Sequence, residues 1–185
     1  MYFYRWISSN LSCKMVNNKS CVSLQYQNIQ SELAVVLDAL CNERNLTLLS
    51  SSCSERAYLI RAAFSSLEDH ETDIIAYYVD ISDTHATDDF IRLLSLMILG
   101  KEDTSLQGTM HYLSSLDKWV YIAIDNFQQI LQYPEKGVDA LIRSYVQELS
   151  NVTFIFAGNN ENKMYEMFVS PAKPFYHSTQ ILTLT

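Results

Sequence analysis

The chain is poor in basic residues, and its cysteines lack the spacing of a metal site. It has 13 Lys and Arg against 21 Asp and Glu, which gives a formal net charge of -8. Phosphate backbones are bound mainly through Lys and Arg, so this balance disfavours nucleic acid as a partner. The cysteines have no C-x-x-C pair and no paired histidine, which disfavours a zinc site and favours reduced thiols; they are Cys13, Cys21, Cys41 and Cys53.

Long apolar runs are missing as well. No stretch approaches the roughly 18 apolar residues that a membrane-spanning helix needs. The aromatic start at residues 1–7 runs into Ser8-Ser9-Asn10, so it lacks the hydrophobic region of a signal peptide. We therefore expect a soluble, cytoplasmic protein without a membrane partner. The histidines are scattered, which disfavours a metal or acid/base site built on them.

What the chain does have is an alternation of short apolar runs and longer segments of helical period. The runs are rich in Ile, Val, Tyr and Phe, and such alternation predicts an α/β three-layer αβα sandwich with a mostly parallel five-stranded sheet. An extra helix over Asn28–Leu40 is expected before the first strand. We expect residues 1–22 to be a polar lead-in and residues 23–185 to form one domain. The predicted strands are Leu46–Leu49, Ile74–Val79, Trp119–Ile124, Val152–Ala157 and Gln180–Leu184, and the predicted helices between them are Glu55–Leu67, Ala86–Leu99, Ser105–Leu116, Val138–Leu149 and Asn160–Val169.

The first strand, the turn after it and the next helix have the layout of a phosphate-binding loop without its residues. The Walker A signature is G-x-x-x-x-G-K-[ST], and it aligns with residues 50–57. Every signature position is substituted: Ser50 and Glu55 replace the glycines, Arg56 the lysine and Ala57 the hydroxyl. A phosphate nest needs glycine conformations, and non-glycine residues there cost roughly 1–2 kcal/mol each. The remaining residues of this degenerate nucleotide-binding segment are Ser51, Ser52, Cys53 and Ser54.

The same turn fits a helix capping box. In the pattern S/T-x-x-E, here Ser52 to Glu55, the serine and the glutamate satisfy free backbone donors at the helix start. Those donors would otherwise hold phosphate. We therefore hypothesise that Glu55 supplies an internal anion at this helix N-terminus. An ordinary capped helix without any history of phosphate binding predicts the same capping.

The third predicted strand ends in a carboxylate, and the blocks after it recur in a familiar order. The stretch 124–128 reads Ile-Asp-Asn-Phe-Gln, and the next strand ends Phe-Ala-Gly-Asn at 156–159. From about Lys118 to Thr185 the chain resembles prokaryotic AAA+-like ATPases of the archaeal-type, STAND-related group. Their Walker B region typically reads I-D-E-F-Q, and their next strand ends F-x-G-S.

This resemblance implies an ATP-driven switch and assigns positions to three residues. Asp125 corresponds to the Mg-binding carboxylate, Asn126 stands where the family has its water-polarising Glu, and Asn159 occupies the sensor position. An amide cannot accept a proton from water as a carboxylate does, so hydrolysis is disfavoured. The chain ends at Thr185, so we expect the family's helical lid and later domains to be absent.

Three readings of the function stay open at this stage. The first is a degenerate AAA+-like module, a pseudo-ATPase without a bound cofactor, that binds or regulates a protein partner such as an active relative. The second is a weak ATPase or ATP-binding protein that holds Mg-nucleotide through Asp125, Arg56 and the loop amides. The third is a truncated product without a selected role.

Overall fold

The fold consists of one parallel sheet with helices on both faces. The computed structural model describes residues 19–70, 73–102 and 105–184. The helices are α1 Lys19–Cys41, α2 Cys53–His70, α3 Thr87–Leu99, α4 Leu106–Ser114, α5 Val138–Glu148 and α6 Glu161–Val169, and the strands are β1 Leu46–Leu49, β2 Ile74–Asp80, β3 Trp119–Asp125, β4 Val152–Gly158 and β5 Gln180–Thr183. The predicted α/β class and five strands are confirmed, and the predicted boundaries of the strands and of α3–α6 differ from the observed ones by no more than two residues.

Two local features differ from the prediction. Helix α1 begins at Lys19 and thus includes the last residues of the predicted lead-in, whose residues 1–18 lie outside the described part of the chain. A 3₁₀ helix at Phe127–Gln132 follows β3 directly, where the sequence predicted no element. Tertiary packing explains the 3₁₀ helix, because Phe127, Gln128 and Ile130 are buried in it.

All strand pairs in the described sheet are parallel, and the strand order is β2-β3-β4-β1-β5. The central strands β3 and β4 are buried along nearly their whole length. Parallel sheets are covered on both faces, which explains why these strands read as continuous apolar runs. One core layer contains α1, α2 and one face of the sheet, and the other contains α3–α6 and the opposite face.

This strand order places the candidate site. Strands β1 and β4 are neighbours in the sheet. The chain runs from β1 to β2 at one end of the sheet and from β4 to β5 at the other end, so the connections after β1 and β4 run in opposite directions. A crevice forms at the carboxyl ends of parallel strands where connections diverge in this way. The turn at residues 50–52, the end of β3 and the loop after β4 all lie at that edge.

Candidate functional site

The turn between β1 and α2 is held by its own serines. The Ser52 hydroxyl accepts a hydrogen bond from the Glu55 N–H at 3.3 Å, so the serine half of the predicted capping box is confirmed. The Ser52 N–H, which the capping box assigns to Glu55, donates instead to the Ser50 hydroxyl at 3.1 Å. Glu55 itself is exposed. The glutamate half of the predicted capping box is therefore not formed, because a nearer serine satisfies that donor, although Glu55 does lie in the first turn of α2.

The residue after Glu55 is a buried cation. Arg56 is fully buried, and its Nε donates to Asp125 Oδ1 at 2.6 Å. Its Nη1 donates to the Ser50 carbonyl at 2.8 Å, and its Nη2 donates to Asn126 Oδ1 at 3.2 Å. The guanidinium fork suits this arrangement, since it presents several donors in one plane. The residue at the predicted Walker A lysine position thus binds the residue at the predicted Walker B aspartate position.

Asp125 has donors on both carboxylate oxygens. Besides Arg56, Oδ1 accepts from the Asn126 N–H at 2.8 Å, and Oδ2 accepts from the Tyr78 hydroxyl. Three of its roughly four lone-pair positions are therefore occupied. The side chain is 2% exposed, so these partners replace water almost completely. A buried carboxylate keeps its charge only with such compensation.

Asn126 turns the chain away from the sheet. Its φ of 59° and ψ of 35° lie in the left-handed region, which asparagine tolerates better than most residues. Its side-chain amide donates to Asp80 Oδ1 at 2.8 Å while its carbonyl oxygen accepts from Arg56. At this position a glutamate would place a third carboxylate beside Asp80 and Asp125. Asn126 thus joins the ends of β2 and β3 without adding charge.

Tyr78 connects this buried network to the surface. Its ring lies 4.8 Å from the guanidinium carbon of the exposed Arg61, in cation–π contact. Burial raises the pKa of the Tyr78 phenol well above its usual value, and the hydrogen bond to Asp125 raises it further. Loss of the phenol proton would place a second anion against Asp125.

We expect Tyr78→Phe to lower stability at pH 8 by about 1–3 kcal/mol, because Asp125 Oδ2 loses its donor. Tyrosine in an unfolded chain ionises near pH 10, and the folded phenol does so only at higher pH. The contribution of Tyr78 is therefore complete below pH 10 and decreases as the pH rises from 10 toward the folded pKa. Thermal melts of both proteins at pH 8, 9, 10 and 11 should show Tm values that converge above pH 10. A constant gap would contradict the assignment.

Asn159, at the predicted sensor position, lies in a separate polar group. It is exposed, and its Oδ1 accepts from Gln128 Nε2 at 2.7 Å. Gln128 is 7% exposed, and its Oε1 has no hydrogen-bond partner among the described residues. An added Cβ at Gly158 would lie 2.3 Å from that oxygen, so a side chain at Gly158 would collide with the Gln128 amide.

The remaining predicted loop residues do not enter the buried network. Ser51, Cys53 and Ser54 are exposed, and Ala57 is half-buried at the start of α2. In the described residues no group of three or more His, Cys, Asp or Glu side chains is arranged to hold a metal ion. No helix in those ranges is long and apolar enough to cross a membrane. Sequence reasoning gave no role to Tyr78 or to Gln128, although Gln128 lies in the block 124–128, because only the fold brings Tyr78 to Asp125 and Gln128 to Asn159.

Similarity to known proteins is visible in the fold rather than in the sequence. No protein-family model matches the chain, and no curated protein matches it. A Walker-type ATPase of Pyrococcus abyssi superposes with a TM-score of 0.63 at 16% identity over 83% of this chain and 52% of that one. The Aeropyrum pernix ORC1 protein, in complex with DNA, gives 0.65 at 14% identity over 84% and 44%. The Cdc6p protein of Pyrobaculum aerophilum gives 0.58 at 10% identity over 94% and 48%.

The chain therefore has the fold of an archaeal-type AAA+ P-loop core, as the resemblance implied. It spans about half the length of these solved structures.

Proposed function

We propose that this chain is an AAA+-fold module that does not hydrolyse ATP and serves to bind or regulate a protein partner. The observation that carries the proposal is the buried pair between Arg56 and Asp125 at 2.6 Å. These residues stand at the positions where the fold's active members hold phosphate and Mg²⁺. In this chain they bind each other, so neither charge is available to a nucleotide.

The electrostatics of the loop support the same proposal. A phosphate nest directs backbone N–H groups inward. Here the Ser50 carbonyl points at Arg56, and the Ser52 and Glu55 N–H groups already have serine partners. A phosphate in this position would face a carbonyl oxygen and would have to displace these internal bonds.

A base for hydrolysis is also missing from the network. Asn126 replaces the glutamate of the resembling family, and its carbonyl oxygen is bound to Arg56. An amide oxygen is too weak a base to take a proton from attacking water at neutral pH. The substitutions of the lysine, the hydroxyl, the glycines and the base each disfavour nucleotide binding or hydrolysis. ATP and Mg²⁺ are therefore proposed not to be cofactors of this chain.

Calorimetric titration and thermal melts with Mg-ATP and Mg-ADP test this proposal. We expect no concentration-dependent rise in Tm up to millimolar nucleotide, whereas a ligand at 100 times its Kd stabilises a protein by about 2.7 kcal/mol. The matched variant restores the signature with Ser50→Gly, Glu55→Gly, Arg56→Lys and Ala57→Thr. Micromolar binding by the unaltered chain would contradict the proposal and support the weak-ATPase alternative.

The partner is proposed to be a protein. The Aeropyrum pernix relative is in complex with DNA, but the net charge of -8 in this chain opposes attraction to a phosphate backbone. Fluorescence polarisation with labelled duplex DNA at low and physiological salt checks this choice. Binding that weakens steeply with salt would favour nucleic acid instead.

A further inference from the structure

One edge of the sheet has an unusual composition. Strand β2 lies at the end of the strand order, and within the described residues it pairs with β3 alone. Residues 74–79 read Ile-Ile-Ala-Tyr-Tyr-Val, with no charge, no proline and no glycine. Proteins usually interrupt exposed edges with lysine, proline or a bulge, because an open edge recruits other strands. This edge has none of these within the strand.

The open side of β2 can be read from its hydrogen bonds. The Asp73 carbonyl accepts from the Trp119 N–H at 3.2 Å, and the Ile81 N–H donates to the Asp125 carbonyl at 3.1 Å. Backbone groups alternate sides along a strand, so the odd-numbered residues face β3. The N–H and C=O groups of Ile74, Ala76 and Tyr78 therefore point away from the sheet.

The side chains of β2 retain exposure that a covered strand would lose. Residues 74–78 are all partly exposed, whereas residues 120–125 of the neighbouring β3 are all buried. Another strand alongside β2 would cover apolar surface and would satisfy the outward backbone groups. An edge with both features suits recognition by strand addition.

The ends of the strand indicate the charge of the partner. Exposed carboxylates lie at both ends, at Asp73 just before β2 and at Asp80 in its last position. A partner strand with Lys or Arg near its ends would meet opposite charges there. A second copy would bring the same carboxylates and another net charge of -8.

We propose that β2 binds an extended segment of a partner protein, apolar or β-branched at its centre and basic at its ends. The segment adds to the sheet through the outward backbone groups of Ile74, Ala76 and Tyr78. This inference names a docking edge for the protein partner of the proposed function. The added strand would pair with the backbone of β2 and not with the Arg56–Asp125 pair, so the nucleotide titration and the peptide titration can fail separately.

A substitution at Ala76 separates pairing from folding. Proline at this position removes an N–H that faces away from β3, and proline is tolerated on edge strands in that orientation. Ala76→Pro should therefore keep the fold and block an added strand. Ala76→Val is the matched control, because it retains the N–H and favours a strand. Ile75→Pro removes an N–H on the β3 side and should lower Tm much more than Ala76→Pro.

The probes are labelled peptides of about eight residues, alternating Thr and Val, with Lys at both ends, or with Glu at both ends as the control. Fluorescence polarisation should show about tenfold tighter binding of the Lys peptide by the unaltered chain and by Ala76→Val. Ala76→Pro should lose this binding at an almost unchanged Tm. Hydrogen exchange should slow at the amides of residues 74, 76 and 78 on addition of the peptide.

Four results would overturn the proposal. One is equal binding of the Lys and Glu peptides, and a second is binding that survives Ala76→Pro. The third is slow exchange at the amides of residues 74, 76 and 78 in the free monomer, which would show that the chain already covers this edge itself. The fourth is a dimer, seen by light scattering, that Ala76→Pro dissociates, because the occupant would then be a second copy.

Discussion

Arg56→Met is expected to lower the free energy of unfolding by about 3–5 kcal/mol, because it leaves Asp125 buried without its cation. Asp125 is 1% exposed and keeps only the donors from Tyr78 and Asn126 in that variant. The Ser50 carbonyl also loses its donor. Urea denaturation at pH 7 measures the change directly.

A double-mutant cycle separates the pair from its surroundings. Arg56→Met with Asp125→Leu removes both charges, and replacement of a buried pair by apolar side chains is often close to neutral. The double variant should therefore be more stable than the sum of the two single losses predicts, by at least about 2 kcal/mol. The exposed pair of Arg44 and Asp38 is the control, and Arg44→Met should cost less than about 1 kcal/mol. Additive losses at Arg56 and Asp125 would show that the two charges do not depend on each other.

Phe127→Ala is the second substitution with a large expected effect. Phe127 is fully buried, and its ring centroid lies 4.6 Å from that of Phe156, 5.4 Å from Phe175 and 6.0 Å from Phe168. Truncation of a buried Phe to Ala removes apolar contact and leaves a cavity, at a cost of about 3–5 kcal/mol. Chemical denaturation should show this loss, and Phe127→Leu should lose less because it fills more of the space.

Phe127 also anchors the turn at Asp125 and Asn126, which contains two residues of the candidate site. It follows Asp125 and the left-handed Asn126 directly and fixes the 3₁₀ helix to the core beneath β4. We therefore expect Phe127→Ala to increase amide exchange at residues 125–130 more than in α5. A uniform increase across the domain would show that Phe127 contributes to global stability without a special role in this turn.

Periodicity was enough for the layers of the fold but not for the 3₁₀ helix. Strands β3 and β4 read as apolar runs because both faces of each are covered, and α3 and α5 read as helices because only one stripe of each is buried. The segment at Phe127–Gln132 carries no such period. Its form follows from the burial of Phe127 and Ile130 against other elements, which a local pattern does not contain.

In the candidate site too, some features follow from local sequence patterns and others only from the fold. Sequence alone identified the substituted Walker positions, including Arg56 and Asp125, because a motif fixes spacing along the chain. It also suggested Glu55 as the internal anion, since a capping box is a local pattern. Only the fold showed that Ser50 satisfies the Ser52 N–H and that Glu55 stays exposed.

The sequence by itself thus determined the layer architecture and the mismatch of residues 50–57 to the phosphate-loop signature, because both depend on residues near each other in the chain. The tertiary structure alone decided which side chains meet Arg56. Arg56 and Asp125 are 69 residues apart, and Tyr78 lies 47 residues before Asp125. Parallel pairing of β2 with β3, and of β3 and β1 with β4, brings their carboxyl ends to one edge of the sheet. Burial at that edge then requires Asp125 to have a cation beside it, and Arg56, at the predicted lysine position, supplies it.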